Sequence, residues 1–494
     1  MEILDTTIVI VALPHIAGNL GVSEDTSTWI VTSFLLCNAI AILFSPWMSS
    51  LFGRRNFYLV CVVLFTLSSL LCGIAPNFGL LVIFRLIQGL AGGGLIPTTQ
   101  AILVDTFPAR QRGMSMAMFS LVVVIAPAIG PTFGGWITDN FSWRWIFFIN
   151  IPIGCVSLFL ASKFITDPPY LPRRTGPDRF KVDYVGFILI VLGLGSMQLT
   201  LSIGERRGWF DSSTVVALAL GSAFAIMATI VWELRHKDPL INLRLLKDRN
   251  LGSAFCLLTM FGLPFYGGMI LYPLFLQGLL GYTATWSGVA VSPGGLILVA
   301  MMPFVGWLIS RVDPRKLAAV GLIILSIALF KMSHFNLDTD IRTVIFARLL
   351  QSFGISMVFV PITSMAYTYV SREARNSASS LMQLGRMVGA SIGIAFVANS
   401  LQSHSQIQQS HLVQHLTPYD SAYTGMLDRL QRMFMGVSGD PVRSVTQAQG
   451  TIYDMLQEQS KALAFSDVYR ALMVTAIVLI PVLFIIRKPT REAE

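Results

Sequence analysis

Phe84-Arg85-Leu86-Ile87-Gln88 sits inside one long apolar run, and Ala347-Arg348-Leu349-Leu350-Gln351 sits inside another, about 260 residues further on. An arginine with a glutamine one turn beyond it is a costly guest in an apolar helix, so its return is informative. Three more matches share the offset: Thr28-Trp29 with Thr285-Trp286, Gly53-Arg54-Arg55 with Asp313-Pro314-Arg315-Lys316, and Arg112-Gly113 with Arg375-Asn376. Each match alone is weak. A common offset at four places points to an internal duplication.

Composition says what was duplicated. Hydrophobic residues make up 54% of the chain and charged residues 12%, where a soluble domain carries about 25% charged residues; the mean hydropathy is +0.67. Apolar runs of roughly 20 residues, the length that crosses a bilayer, recur along nearly the whole chain. Hydropathy gives about fourteen spans, centred near Val11, Ala39, Phe65, Gly89, Val124, Gly154, Leu192, Phe224, Met260, Leu298, Ile324, Met357, Ile392 and Ile477. Runs of this length read as helices, not as the ten-residue strands of a membrane barrel. The duplication pairs spans one to six with nine to fourteen and leaves seven and eight as an inserted hairpin. The expected fold is therefore an all-α membrane protein of two six-helix bundles plus a two-helix hairpin. Residues 1–166 form the first bundle, 167–183 a Pro- and charge-rich cytoplasmic linker, 184–236 the hairpin, and 237–494 the second bundle, including an outward loop at 402–466. Two parallel halves are the layout of a rocking transporter with its substrate site near the midplane.

The net charge of +9 does not indicate nucleic acid, because the basic residues lie scattered in short loops between apolar runs. About 22 of the 35 Lys and Arg fall on one side, among them Arg54, Arg55, Arg173, Arg174, Arg315, Lys316, Arg487 and Lys488, and about 10 on the other. The richer side is read as cytoplasmic, in the cell inner membrane, and an even span count puts both termini there. The chain opens Met1-Glu2 without the basic start of a signal peptide. Residues 3–20 read as a retained, short first span, which suggests a start late in the first helix. The 402–466 loop is rich in Gln, Ser and Met. It has helix-like stretches at 423–434 and 445–463 but no run able to span, and a loop this long is usually functional or mobile.

Few residues inside the spans carry chemistry. Asp5 is the only acid placed within one. A carboxyl group taken out of water holds its proton more tightly, which suits a proton carrier; the other reading is an interfacial aspartate on a short first helix. Arg85, with Gln88 one turn on, is either a buried guanidinium whose fork bonds backbone carbonyls or a carboxylate or an arginine snorkelling to the inner surface. In the second half, Arg348 and Arg386 are basic. Arg386 lies in Gln383-Leu384-Gly385-Arg386, and Asn38, Gln351, Gln383 and Arg386 are candidate cavity residues. Basic groups without further intramembrane acids suit neutral or anionic lipophilic substrates better than dications, unless Glu205 or Glu233 reaches inward from a span end. Gly130, Pro131, Gly134 and Gly135 read as a packing and hinge motif, with Gly92-Gly93-Gly94 doing similar work. The five cysteines lie in apolar runs with no Cys-x-x-Cys pair. His404, His411 and His415 read as solvated loop residues. No phosphate-binding loop or zinc-protease spacing occurs, so no ATP, metal or cofactor is expected and no enzyme activity.

Several stretches resemble the fourteen-span drug:proton antiporters of the major facilitator superfamily, of the EmrB type. Leu4-Asp5-Thr6-Thr7-Ile8-Val9 with Val11-Ala12-Leu13-Pro14 is similar to that group's first-span signature. Arg85-Leu86-Ile87-Gln88-Gly89 resembles its span-four motif. Ala126-Pro127-Ala128-Ile129-Gly130-Pro131-Thr132-Phe133-Gly134-Gly135 resembles its span-five antiporter motif, with Ala126 where Gly is usual. Trp145-Ile146-Phe147-Phe148-Ile149-Asn150-Ile151-Pro152-Ile153-Gly154 resembles the run that follows. In the cytoplasmic loop motif containing Gly53, Arg54 and Arg55, Pro46 and Ser50 replace the usual Gly and acid. The resemblance implies the major facilitator fold and proton-coupled efflux of hydrophobic drugs by alternating access. Asp5, Arg85 and Gln88 would couple the proton. Its partners would be a periplasmic adaptor of the membrane-fusion class and an outer-membrane channel, with 402–466 as a contact. The alternative is a stand-alone exporter of one metabolite, such as a siderophore or fatty acid. A membrane enzyme or channel is disfavoured by the duplication and by the absence of catalytic clusters.

Overall fold

A computed structural model describes residues 1–106, 119, 126, 130–166, 183–204, 207–236, 239, 241–309, 311–366, 370 and 375–486. The predicted span centre at Val124, the Arg112-Gly113 match, most of the 167–183 linker and Glu205 lie outside these residues, as do the side chains of Pro46 and Ser50. All regular structure among the described residues is helical. In chain order the helices used below are α1 (Glu2–Leu20), α2 (Trp29–Phe52), α3 (Arg54–Ile74), α4 (Phe78–Gly92, continued by Leu95–Thr106), α5 (Asn150–Phe164), α6 (Tyr184–Ile203) and α7 (Ser213–Arg235). They continue with α8 (Arg249–Gly262), α9 (Gly268–Gly278), α10 (Ala284–Ile309), α11 (Pro314–Met332), α12 (Ile341–Ala366), α13 (Arg375–Val413), α14 (Ser421–Ser438) and α15 (Pro441–Leu483).

Eleven helical segments among the described residues are long and apolar enough to cross a membrane, and they cover eleven of the fourteen predicted centres. Ala39 lies in α2, whose apolar stretch is shorter, and Ile324 in α11, which has Arg315, Lys316 and Lys331 at its ends. Helix starts that meet water are capped by side-chain oxygens. Asn77 accepts from the Leu80 N–H, Asp183 from Gly186, and Asp248 from Asn250 and Leu251. Such caps satisfy donors that have no partner within the helix.

Buried apolar side chains gather in two main cores. One joins α1 to α4 with Trp143, Ile146 and Phe147; the other joins α8 to α13 with α15. Ile270, Met387 and Ile394, from the second group of helices, pack into the first core. The hairpin α6–α7 buries little of itself, as expected of helices facing lipid. Its α6 lies across the seam. Phe187 packs edge-on to Phe44 of α2 at 4.2 Å, Ile190 sits with Leu43 and Leu381, and Asn399 of α13 donates to the Leu201 carbonyl at 3.2 Å.

The stretch expected to be an outward loop is mostly helix. α13 has 39 residues and α15 has 43, roughly 60 Å each at 1.5 Å per residue, about twice the hydrocarbon thickness. They are joined through α14. The helix-like stretches at 423–434 and 445–463 fall within α14 and α15. The reason is a stripe with a four-residue period: Ser444, Ala448, Ile452, Leu456 and Ser460 are all buried, while Tyr423, Leu427, Leu430 and Phe434 form the half-buried face of α14. Two of the five stripe positions are serines, so hydropathy alone misses it. Gln408 of α13 donates to Asp467 of α15 at 2.7 Å and ties the two stems together.

Candidate functional site

Five elements converge on Asp5. It sits one turn into α1 and is fully buried, so it is not the interfacial residue that a short first helix would allow. Arg85 of α4 is completely enclosed too, which removes the snorkelling alternative. Its Nη1 pairs with Asp5 Oδ2 in a short, charge-assisted contact and also donates to Gln88 Oε1 at 2.9 Å. Its Nε donates to the Ile30 carbonyl of α2 at 3.0 Å. The guanidinium lies 4.4 Å from the Phe34 ring centre and 5.7 Å from that of Phe147, near enough for cation–π attraction in a dry setting.

The second carboxylate oxygen is held from two directions. Asn150, at the start of α5, donates to Asp5 Oδ1 at 2.8 Å, and Gln88 Nε2 does so at 3.3 Å. Asn150 Nδ2 also reaches Ser69 Oγ of α3 at 3.0 Å, and that hydroxyl donates to the Phe147 carbonyl at 2.8 Å. Cys72 lies 3.7 Å from Gln88 Oε1. A buried ion pair is stable only when its remaining lone pairs and protons are satisfied, and this network meets most of that demand; Arg85 Nη2 has no partner. Protonating Asp5 would remove the charge on which the whole network is built.

Glu2 corrects the expectation that Asp5 is the only acid within a span. It lies one turn before Asp5 on the same helix, is more than nine-tenths buried, and accepts from Asn38 Nδ2 at 2.8 Å. Its Oε2 and Asn38 Oδ1 have no partner. Arg386 is close enough for its charge to act on Glu2 and is bonded to Gln383 Oε1. Of the expected cavity residues, Asn38 thus bonds this carboxylate from α2, while Arg386 of α13, with Gln383 bonded to it, acts on it through its charge. Gln351 belongs elsewhere, with Arg348 in α12. Glu233 is also buried in a span, but it accepts from the Ile241 N–H at 3.2 Å at the end of the hairpin rather than reaching into this site.

The glycine-rich motif packs beside Asp5. A Cβ on Gly130 would lie 2.2 Å from Thr7 Oγ1 and one on Gly134 2.7 Å from Ile8 Cγ2, so both glycines admit α1 at close range. Pro131, Gly134 and Gly135 are buried. The opposite face meets the other bundle: a Cβ on Gly288 of α10 would lie 2.5 Å from the Pro131 carbonyl oxygen, Thr132 bonds to Ser292, and Asp139 accepts from the Thr285 N–H at 2.8 Å. Gly53, at φ 83°, makes the turn between α2 and α3. Arg54 is buried there, and Arg55 donates to the Ser162 carbonyl at 2.6 Å.

Residue type singled out Asp5 and Arg85, and the resemblance of the span-four motif added Gln88. Glu2, Ser69 and Asn150 were missed. For Glu2 the available signal was its place one turn before Asp5. For Asn150 it was a lone amide in the run Trp145–Gly154.

A family model described as the Major Facilitator Superfamily matches residues 1–394. The fatty acid resistance protein FarB of Neisseria gonorrhoeae is 32% identical over 489 residues, covering 99% of this chain and 94% of that protein. The multidrug export protein EmrB of Haemophilus influenzae is 36% identical over 422 residues, 85% of this chain and 82% of that one. Among solved structures, an inward-facing, unoccupied bacterial homologue of the human lysosomal transporter Spinster overlays with a TM-score of 0.61 at 15% identity, covering 98% of this chain and 93% of that one, a likeness of fold. The chain therefore belongs to the Major Facilitator Superfamily and is a multi-pass membrane transporter of small molecules, not an enzyme.

Proposed function

We propose that this protein exports lipophilic toxic compounds in exchange for protons. The observation that carries the reading is the buried Asp5–Arg85 pair with Gln88 and Asn150 around it. A carboxylate closed off from water and tied to four helical elements is poised to convert proton binding into helix movement. Proton uptake neutralises Asp5, weakens its hold on Arg85 and loosens α1 from α4; proton release restores it. Because α1 also lies against Gly130 and Gly134, whose segment meets α10 across the seam, a shift of α1 is passed to the contact between the bundles.

In this reading residues 1–166 and 237–494 rock against each other by alternating access, and the 184–236 hairpin rides on the seam. The protein sits in the cytoplasmic (inner) membrane with both termini inside. The relatives named for multidrug export and fatty acid resistance support export rather than uptake. The three-helix extension of α13, α14 and α15 supports assembly with a periplasmic adaptor and outer-membrane channel, since it offers a structured surface beyond the bilayer. The second reading, a stand-alone exporter of one metabolite such as a fatty acid, draws on the FarB likeness.

The test is drug-triggered proton movement in proteoliposomes, with a panel of lipophilic anions, neutral compounds and cations. Wild type is expected to move protons when a substrate is added, and Asp5→Asn to bind substrate without moving them. Proton flux in Asp5→Asn equal to wild type would overturn the assignment of Asp5. No substrate-linked flux in wild type would overturn antiport itself.

A further inference from the structure

The offset that carries Arg85 onto Arg348 and Gln88 onto Gln351 carries Asp5 onto Gly268. The geometry agrees. In the first bundle Gln88 Nε2 donates to Asp5 at 3.3 Å; in the second, a Cβ on Gly268 would lie 2.8 Å from Gln351 Nε2. Arg348 Nη1 donates to Gln351 Oε1 at 2.6 Å, as Arg85 does to Gln88. The guanidinium lies 5.5 Å from the Tyr272 ring centre, so it too has an aromatic neighbour, as Arg85 has in Phe34 and Phe147. The second bundle has kept the cation and its glutamine and lost the anion.

What is left is a buried guanidinium, at 8% exposure, with no carboxylate paired to it among the described residues. The titratable groups that act on its charge are Tyr272 and Tyr469. Donors around it are idle: Arg348 Nε, Gln351 Nε2, Ser352 Oγ and Tyr469 Oη all lack partners. An uncompensated buried charge is strongly unfavourable, and several unpaired donors beside it add to the cost. Gly268 follows the π-helical turn Leu263–Gly267 that joins α8 to α9, a distortion often found at functional sites.

We propose that the Arg348 cluster binds the carboxylate of an anionic amphiphile, so that the substrate supplies the anion that Asp5 supplies in the other bundle. A guanidinium fork takes a carboxylate through two parallel hydrogen bonds. Gln351, Ser352 and Tyr469 add donors, and Leu271, Phe275 and Leu472, in the same apolar core as Tyr272 and Tyr469, suit an alkyl chain. Gly294 of α10 lies against Arg348 Nε and Ser352 Oγ, so the site fills when α10 shifts within its own bundle. This inference rests on the export reading only for the direction in which the bound anion travels.

The experiment measures equilibrium binding of radiolabelled dodecanoate to the purified full chain in detergent, with dodecanol and dodecyltrimethylammonium as uncharged and cationic competitors. Wild type is expected to bind dodecanoate saturably and to prefer it to both competitors. Gly268→Asp restores a built-in carboxylate beside Arg348; it is expected to unfold at a temperature no lower than wild type and to bind dodecanoate at least tenfold more weakly. Gly268→Asn, of the same size without the charge, is expected to bind much more tightly than Gly268→Asp. Arg348→Met is expected to lose the preference for dodecanoate over dodecanol even if Gly268→Asp does not fold. Wild-type affinity in both Gly268→Asp and Arg348→Met, or equal losses for dodecanoate and dodecanol, would overturn the proposal. Because no gradient is used, binding without export would leave this site standing and refute the export reading, and export without charge-dependent binding would do the reverse.

Discussion

Breaking the Asp5–Arg85 pair from one side should cost far more than removing it altogether. Asp5→Asn keeps an oxygen for Asn150 and Gln88 but leaves the guanidinium, at 0% exposure, with only the Ile30 carbonyl and Gln88 Oε1 as acceptors. One-sided loss of a buried pair typically costs about 3–5 kcal/mol. Arg85→Gln alone strands the carboxylate to a similar degree. In the double variant Asp5→Asn/Arg85→Gln two neutral amides face each other, so most of that penalty disappears and about 1–2 kcal/mol remains. The coupling energy should therefore reach at least about 4 kcal/mol in favour of the double variant. Unfolding of the purified protein by graded SDS in mixed micelles measures all four corners of the cycle. Additivity of the two single changes to within about 0.5 kcal/mol would show that the residues do not act as one buried pair and would remove the basis for proton-driven movement of α1. The same double variant separates structure from function, since it should be folded and bind substrate yet move no protons.

Glu2→Leu leaves the Asn38 Nδ2 donor without its acceptor, and should cost about 1–3 kcal/mol in the same unfolding assay. Glu2→Gln keeps the acceptor for Asn38 and should cost well under half as much; equal losses would show that the hydrogen bond is not what matters. Gly288→Ala sets a methyl 2.5 Å from the Pro131 carbonyl oxygen and Thr132 Cα, backbone atoms that cannot swing away. With the native cysteines replaced, a pair introduced by Asp139→Cys and Thr285→Cys should then crosslink several-fold more slowly than in the Gly288 background. Beyond the bilayer, chymotrypsin should cut first after Tyr419, which is 98% exposed between α13 and α14, while Tyr423 and Tyr453 inside helices survive. Peptide mapping that shows even cutting across 402–466 would contradict the helical extension.

The apolar runs were enough to read the helical membrane fold, because a span must satisfy its backbone internally and leaves a plain compositional trace. Arg85 and Asp5 were legible for a related reason, since a charge in such a run stands out. The rest was hidden by physics of other kinds. The stem of α15 carries Ser and Ala in its buried stripe, so what stabilises it is contact between helices, which no window average detects. Asn150 and Ser69 are polar but uncharged, and many such residues do nothing; only the arrival of α3 and α5 at the same carboxylate gives these two a part. Glu2 was overlooked because it stands at the edge of its run, where charge is ordinary, although its side chain turns inward to Asn38.

The duplication also gives a reason for the asymmetry between the bundles. An exchanger must couple two ligands of different chemistry, and two identical sites would bind the same one twice. In the first bundle the guanidinium is satisfied internally, so what remains to be exchanged there is the proton that competes with Arg85 for Asp5. In the second, the replacement of that aspartate by Gly268 leaves the same cation to be satisfied from outside. One lost carboxylate on a common scaffold is thus enough to turn a proton site into an anion site. It also predicts that restoring the carboxylate should make the two bundles chemically alike and silence the second as a receiver of substrate.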